Sequence, residues 1–305
     1  MKRIATLSLA LCLFSALFVV VGASATSQPA TRSGVFPVTV VSANGPVLIR
    51  HRPTRILSLS ASATQMFYAI GAGPQVVGVD KYSMWPPNAP RTNFTGYESS
   101  AEEYLRERPD LVILATDTSH VVEQLKKLHI ATLLLPPATT IAGANAQVRE
   151  LGLATGHVRA SAIEVASINS YLTSISHQVG TRAKGKSYYV EIDPTLYSAT
   201  SKTFIGALFS KLGMVNIADR ATNASSGYPQ LTAEYLIQAD PQYVFLADTT
   251  CCQQNVATFA QRPGYSTMVA VRNHEVIGLN DGIAQEWGPH SLEVFFNIIA
   301  KSVTR

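Results

Sequence analysis

The chain states one pattern twice. Ala101-Glu102-Glu103-Tyr104-Leu105 runs to Pro109 and then to Leu111-Val112-Ile113-Leu114-Ala115-Thr116-Asp117-Thr118. At an offset of 132 residues, Ala233-Glu234-Tyr235-Leu236 runs to Pro241 and then to Tyr243-Val244-Phe245-Leu246-Ala247-Asp248-Thr249-Thr250. Each copy predicts a short helix opened by a Glu, a Pro that stops it, and a buried apolar strand with a polar exit. The spacing is far above the ~20–50 residues of a solenoid unit. It predicts two similar lobes, each presenting one carboxylate at a matching place. A cleft between the lobes follows, with a partner that grips both.

The rest of the chain fits that division. From Arg55 onward, short apolar runs alternate with helical stretches: Arg55–Leu59, Ser62–Ile70, Val76–Val79, Ala101–Arg106, Leu111–Leu114, Val121–Leu128, Ala131–Leu135 and Ile141–Leu153. A second series starts at Ser187–Ile192 and continues through Ile205–Leu212, the second repeat copy, Val276–Leu279 and a terminal helix from Ser291. Strands alternating with helices predict α/β lobes with mainly parallel sheets. Between the two series, Val165, Ile168, Leu172, Ile175 and Val179 form one apolar helical stripe, with no Gly or Pro from Ala160 until Gly180. One long helix is therefore expected to join the lobes and to resist closure. The expected division is 1–25 signal peptide, 26–52 leader with a small hairpin around Asn44-Gly45, 53–158 first lobe, 159–182 bridging helix and 183–305 second lobe.

Lys2 and Arg3, the apolar run Ile4–Val21 and Ala23-Ser24-Ala25 read as a secretory signal cut after Ala25, the rival being a retained membrane anchor. The protein is then exported. Without Lys2 and Arg3, 22 of the 24 basic residues stand against 20 acids. That balance gives no electrostatic footprint for nucleic acid. The seven His are scattered without H-x-H or H-E-x-x-H spacing, so no protein-held metal is expected. No G-x-S-x-G occurs. Gly180–Ser187 matches a P-loop string, but it follows the long helix and precedes a strand, the reverse of a working P-loop. A secreted hydrolase would need a triad assembled from distant residues. Cys251 and Cys252 are adjacent, and could form a strained vicinal disulfide or stand as two free thiols.

Several ordered segments resemble a known family. They are Pro53–Leu59, Val77–Pro87 with its Tyr82-Ser83-Met84-Trp85-Pro86-Pro87, Thr95-Gly96-Tyr97, Glu102 seven residues before Pro109, Phe204–Leu208, and Trp287–Glu293. Together, over residues 50–303, they are similar to the helix-backbone substrate-binding proteins of ABC importers for vitamin B12, ferric siderophores and haem. The Tyr-Ser-x-aromatic-Pro-Pro run and Tyr228-Pro229-Gln230 bring the chain nearest to the cobalamin binders. Ala115 stands where those carry a Trp. Gly96-Tyr97 resembles the haem binders, although Ser99 replaces their Arg.

The resemblance implies two α/β lobes joined by a helix, with the ligand in the cleft. The ligand would be a metal chelate, a corrinoid or ferric siderophore, or alternatively haem. It carries its own cobalt or iron, so no resident cofactor is implied. The partner would be a permease dimer, met by a monomer in the periplasm or on the outer face of the cytoplasmic membrane. Glu102 and Glu234 would dock on that permease. Tyr82, Trp85, Tyr97, Tyr228, Asp281 and Trp287 would meet the ligand.

Overall fold

The computed structural model describes residues 36–97 and 100–305, so the expected signal peptide lies outside the described residues. In chain order the elements are β1 (Val38–Ser42), β2 (Gly45–Ile49), β3 (Ile56–Leu59), α1 (Ala61–Ala69), β4 (Val76–Val79), α2 (Ala101–Tyr104), β5 (Leu111–Leu114), α3 (Val121–Lys127), β6 (Ala131–Leu134), α4 (Ile141–Thr155) and α5 (Val158–Val179). They continue with β7 (Ser187–Glu191), α6 (Phe204–Lys211), β8 (Val215–Asn216), α7 (Ala233–Ala239), β9 (Tyr243–Leu246), α8 (Val256–Ala260), α9 (Val269–Arg272), β10 (Val276–Gly278), α10 (Asp281–Gln285) and α11 (Pro289–Ser302).

Each lobe holds one four-stranded sheet, and all its strands run parallel. The orders are β4-β3-β5-β6 and β8-β7-β9-β10. Counted within its own lobe, each sheet therefore reads second-first-third-fourth. The central strands β3, β5 and β9 are buried along their whole length. Helices cover both faces of such a sheet, which is why the strand sequences are continuous apolar runs without alternation.

The repeat is preserved down to the register. Ile56 pairs with Leu111 and Leu59 with Leu114, while Tyr188 pairs with Tyr243 and Glu191 with Leu246. The same offset of 132 carries each of the first set onto the second. Both repeat helices open on a hydroxyl cap, Ser100 for α2 and Thr232 for α7. A left-handed residue precedes the Pro in both copies: Asp240 at φ 40° ends α7, and Arg108 at φ 46° ends the single 3-10 turn Leu105–Glu107 that follows α2. Just past each Pro, one polar side chain clasps the start of the lobe's first strand. Asp110 accepts from the Arg55 amide at 2.9 Å, and Gln242 accepts from the Ser187 amide at 3.2 Å.

The halves diverge in chemistry where the first strand of each sheet ends. Where β3 ends in Leu59, β7 ends in Glu191, and where lobe 1 has Thr116, lobe 2 has Asp248. Both acids are fully buried. Arg262 meets Glu191 in a bidentate pair at 2.6 and 2.7 Å. Burial first, and the charge of Glu191 second, push the Asp248 carboxyl up to about 7.

The bridging helix is α5, whose 22 residues span ~33 Å at 1.5 Å per residue. Its stripe is shared out along its length: Val165 packs in a lobe 1 core, and Ile168, Leu172 and Val179 in a lobe 2 core. The hairpin β1–β2 is not a free leader. Val40 and Ile49 are buried in the lobe 1 core, and its turn lies on β6. There the Ala43 amide donates to the Leu134 carbonyl at 3.0 Å, and Asn44 donates to the Thr132 carbonyl at 2.9 Å and accepts from the Leu134 amide at 3.0 Å.

Candidate functional site

In an open parallel sheet, ligands collect beyond the carboxyl ends of the strands. Here the two sets of carboxyl ends meet at a cavity of about 610 Å³. Lobe 1 contributes Tyr97, the β5 exit Ala115–Asp117, Leu134, and Pro136–Ala138 after β6. Lobe 2 contributes Ile192 after β7, Phe204 and Ile205 at the start of α6, Tyr228, Gln285 and Trp287. The wall is thus aromatic, proline and aliphatic, with a few polar tips. Among the described residues, its only charged one is Asp117, and no Lys, Arg or His lines it. Asp117 also caps α3 by accepting from the Val122 amide at 3.1 Å.

The local chain explains how three of the four wall aromatics are presented. The Tyr97 carbonyl accepts from Thr118 and Ser119, which ties its loop to the β5 exit. Tyr228 follows Gly227, whose φ of 82° turns the chain. The loop is sewn to its neighbour by Thr200 donating to the Gly227 carbonyl and Ser198 to the Pro229 carbonyl, both at 2.9 Å. Both tyrosine side chains are about half exposed. Trp287 is held from lobe 1: its backbone amide donates to Ser62 Oγ at 3.0 Å and its indole Nε1 to Gln147 Oε1 at 2.6 Å.

Tyr97, Tyr228 and Trp287 therefore come together on the cavity wall. Tyr82, Trp85 and Asp281 are not among its lining residues. Trp85 instead stacks on His290, with ring centres 3.9 Å apart and planes 12° apart, so it joins lobe 1 to the start of α11. Tyr82 is exposed, with the Lys81 ammonium 5.0 Å from its ring centre. Asp281 holds a neighbouring loop by accepting from the Thr250 amide at 2.9 Å and the Cys251 amide at 2.6 Å. Cys251 and Cys252 are free thiols in the structure. Glu102 and Glu234 are both exposed, each the second residue of its helix.

Sequence reasoning did not single out Asp117, Phe204, Ile205, Gln285 or the Pro136-Pro137 step as wall residues. The available signal was positional: nearly all of them sit just past a strand or at a helix start.

Beside the cavity, Glu286 is largely buried against Gln65 and Ser291. Burial is the main cause that pushes it up to about 7, helped by the charge of Asp80 and opposed by hydrogen bonds from Ser291 and Gln65. Burial also raises Asp80, against bonds from Ser83. Among the described residues, no cluster of three His, Cys, Asp or Glu could hold a metal ion.

These features define a two-lobed binding protein with its site between the lobes. A sequence model of the family described as periplasmic binding protein matches residues 56–282, and the chain belongs to that family. It is a binding protein, not an enzyme. It is 27% identical over 277 residues to an uncharacterized ABC transporter substrate-binding lipoprotein, YvrC, of Bacillus subtilis (strain 168), covering 88% of this chain and 86% of that one. It is 32% identical over 223 residues to a cobalamin-binding protein of Halobacterium salinarum (strain ATCC 29341 / DSM 671 / R1), covering 70% of this chain and 60% of that one. Its fold matches the periplasmic heme-binding protein RhuT from Roseiflexus sp. RS-1 with a TM-score of 0.70 at 20% identity, over 82% of this chain and 98% of that one.

Proposed function

We propose that this chain is an exported solute-binding protein that takes a corrinoid between its lobes and delivers it to an ABC importer. The observation that carries the ligand class is a wall whose described residues include no cation and offer aromatic faces and neutral polar tips instead. A ferric siderophore with catecholate or carboxylate arms, or a haem with two propionates, brings anionic charge into a partly dry cleft. Such charge calls for Arg or Lys partners. A corrinoid presents a flat ring edged by neutral amides, which suits stacking on Tyr97, Tyr228 and Trp287 and hydrogen bonds to Thr116, Asp117 and Gln285. The halobacterial relative named as cobalamin-binding supports the same class.

The haem reading keeps one observation in its favour. Tyr97 offers a phenol on the wall that could ligate ferric iron.

Glu102 and Glu234 support the delivery step. They are exposed at matching points of the two lobes, so a two-fold permease could engage both at once. The protein then works as a monomer, in the periplasm or on the outer face of the cytoplasmic membrane. Rim carboxylates steer and orient an encounter while adding modest affinity.

The test is a titration of the purified protein with cyanocobalamin, a ferric catecholate and haemin, read by absorbance and calorimetry. One-to-one binding of cyanocobalamin, with the anionic chelates weaker by tenfold or more (about 1.4 kcal/mol), is expected. Tighter binding of either anionic chelate would overturn the corrinoid reading.

A further inference from the structure

The segment between α10 and α11 belongs to lobe 2 by its place in the chain, yet its hydrogen bonds run to lobe 1. Gln65 on α1 is only 3% exposed and uses both ends of its amide here. Its Nε2 donates to Ser291 Oγ at 2.7 Å and to the Glu286 carboxylate, and its Oε1 accepts from the Ser291 amide at 3.0 Å. Ser291 Oγ closes the ring by donating to Glu286 at 3.0 Å. A side-chain carbon on Gly288 would collide with Gln65, so the close approach of the two lobes needs glycine at that position. Both hydrogen bonds of Trp287 also end on lobe 1, at Ser62 and Gln147. The long helix α5 is therefore not the sole tie between the halves.

A buried amide with three partners tolerates little substitution. A Glu in its place would present an acceptor to Glu286, and a Leu would leave the Ser291 amide and the Glu286 carboxylate short of a partner. What the ring holds in place is the stretch between its anchor points, and Trp287 in that stretch is a wall of the cleft.

We infer that Gln65 and Gln147 are positioning residues of the binding cleft: they fasten a lobe 2 segment onto lobe 1 and thereby set the Trp287 wall before any ligand arrives. Neither lines the cavity. Their contribution is to remove the ordering cost from the binding step, so that bound ligand is retained longer. The inference rests on the reading above for its choice of ligand alone.

The chain has two Trp, so in a Trp85→Phe background Trp287 is the sole emitter. In that background, three quantities are compared among the parent, Gln65→Leu and Gln147→Leu. They are iodide quenching of the ligand-free protein, amide exchange over residues 286–291, and the rates of association and dissociation of cyanocobalamin. Gln65→Leu should raise quenching and speed exchange at Trp287 and Ser291. It should speed dissociation about tenfold with association nearly unchanged, since changes of this kind act mainly on the off-rate. Gln147→Leu cuts the bond to the Trp287 indole and the 2.7 Å bond that Gln147 Nε2 donates to the Pro136 carbonyl, and leaves the Gln65 ring intact. It should raise quenching and the off-rate by a smaller factor, and it carries the test where Gln65→Leu fails to fold.

Unchanged quenching and exchange in a folded variant would overturn the fastening. A loosened segment with an unchanged off-rate would overturn the positioning role. If the parent does not bind cyanocobalamin, the corrinoid reading falls, and quenching and exchange still decide whether the two glutamines hold the segment.

Discussion

The two lobes share a backbone and differ in chemistry. They agree in strand order, in register, in the left-handed residue before Pro109 and Pro241, and in the clasp made by Asp110 and Gln242. They part at the carboxyl end of the first strand. Lobe 1 closes there with Leu59, and lobe 2 with Glu191, Asp248 and Arg262. What the repeat conserves is the set of constraints on the main chain: caps, a stop and a buried apolar strand. The interior side chains were free to diverge, because a sheet end can be filled either by hydrocarbon or by a satisfied ion pair.

The most damaging way to break this comparison is Arg262→Met. It strands Glu191 in the interior, and lobe 2 should lose about 3–5 kcal/mol of stability, read by urea unfolding. Adding Glu191→Leu and Asp248→Thr imports the lobe 1 solution and should restore most of the loss. If the triple change is as unstable as Arg262→Met alone, the two fillings are not interchangeable.

The next effect is pH dependence. Asp248 has a folded pKa near 7 against an ordinary 3.8. Its raised value favours the protonated folded state, so stability is fullest below the unfolded pKa and falls as pH climbs from about 4 to about 7. The fall should be about 2–3 kcal/mol. Asp248→Asn should flatten that part of the profile, whereas Thr116→Val at the matching point of lobe 1 should not alter its slope. An unaltered slope in Asp248→Asn would remove the carboxyl from this role.

Smaller again is the contribution of each lobe to the ligand. Tyr97→Ala and Tyr228→Ala should each weaken cyanocobalamin by about 1–2 kcal/mol, since one half-exposed aromatic is lost from either wall. Trp85→Ala should cost less than either, because Trp85 packs on His290 away from the cavity. A larger loss at Trp85 would put the ligand on the other side of lobe 1.

The smallest expected effect is on docking. Glu102→Lys or Glu234→Lys alone should slow uptake by less than about tenfold and the pair by more, with ligand affinity intact. The losses should shrink in high salt. Uptake at the parental rate in the double variant would leave the repeated Glu as a helix start used twice.

The sequence repeat made the lobes, the third strands and the bridging stripe legible, because each leaves a periodic mark. The cleft was harder to read. Tyr82 and Trp85 occupy a Ser- and Pro-containing loop after a strand, a reasonable place for binding residues. That strand, β4, lies at the edge of its sheet, and the cavity opens over the exits of β5 and β6 at the other side. Which side of the sheet a strand falls on is set by strand order, which no local pattern encodes. Gln65 was invisible for a similar reason: its partners lie more than 220 residues away.

The hairpin of β1 and β2 has a consequence of its own. β6 ends the first sheet and would otherwise offer a row of bare amides and carbonyls to any passing strand. Ala43 and Asn44 occupy that row at Thr132 and Leu134 with contacts too short and too irregular to template another chain. The hairpin therefore guards solubility. A protein trimmed back to residue 50, though it keeps every cleft residue, should self-associate through the uncovered edge.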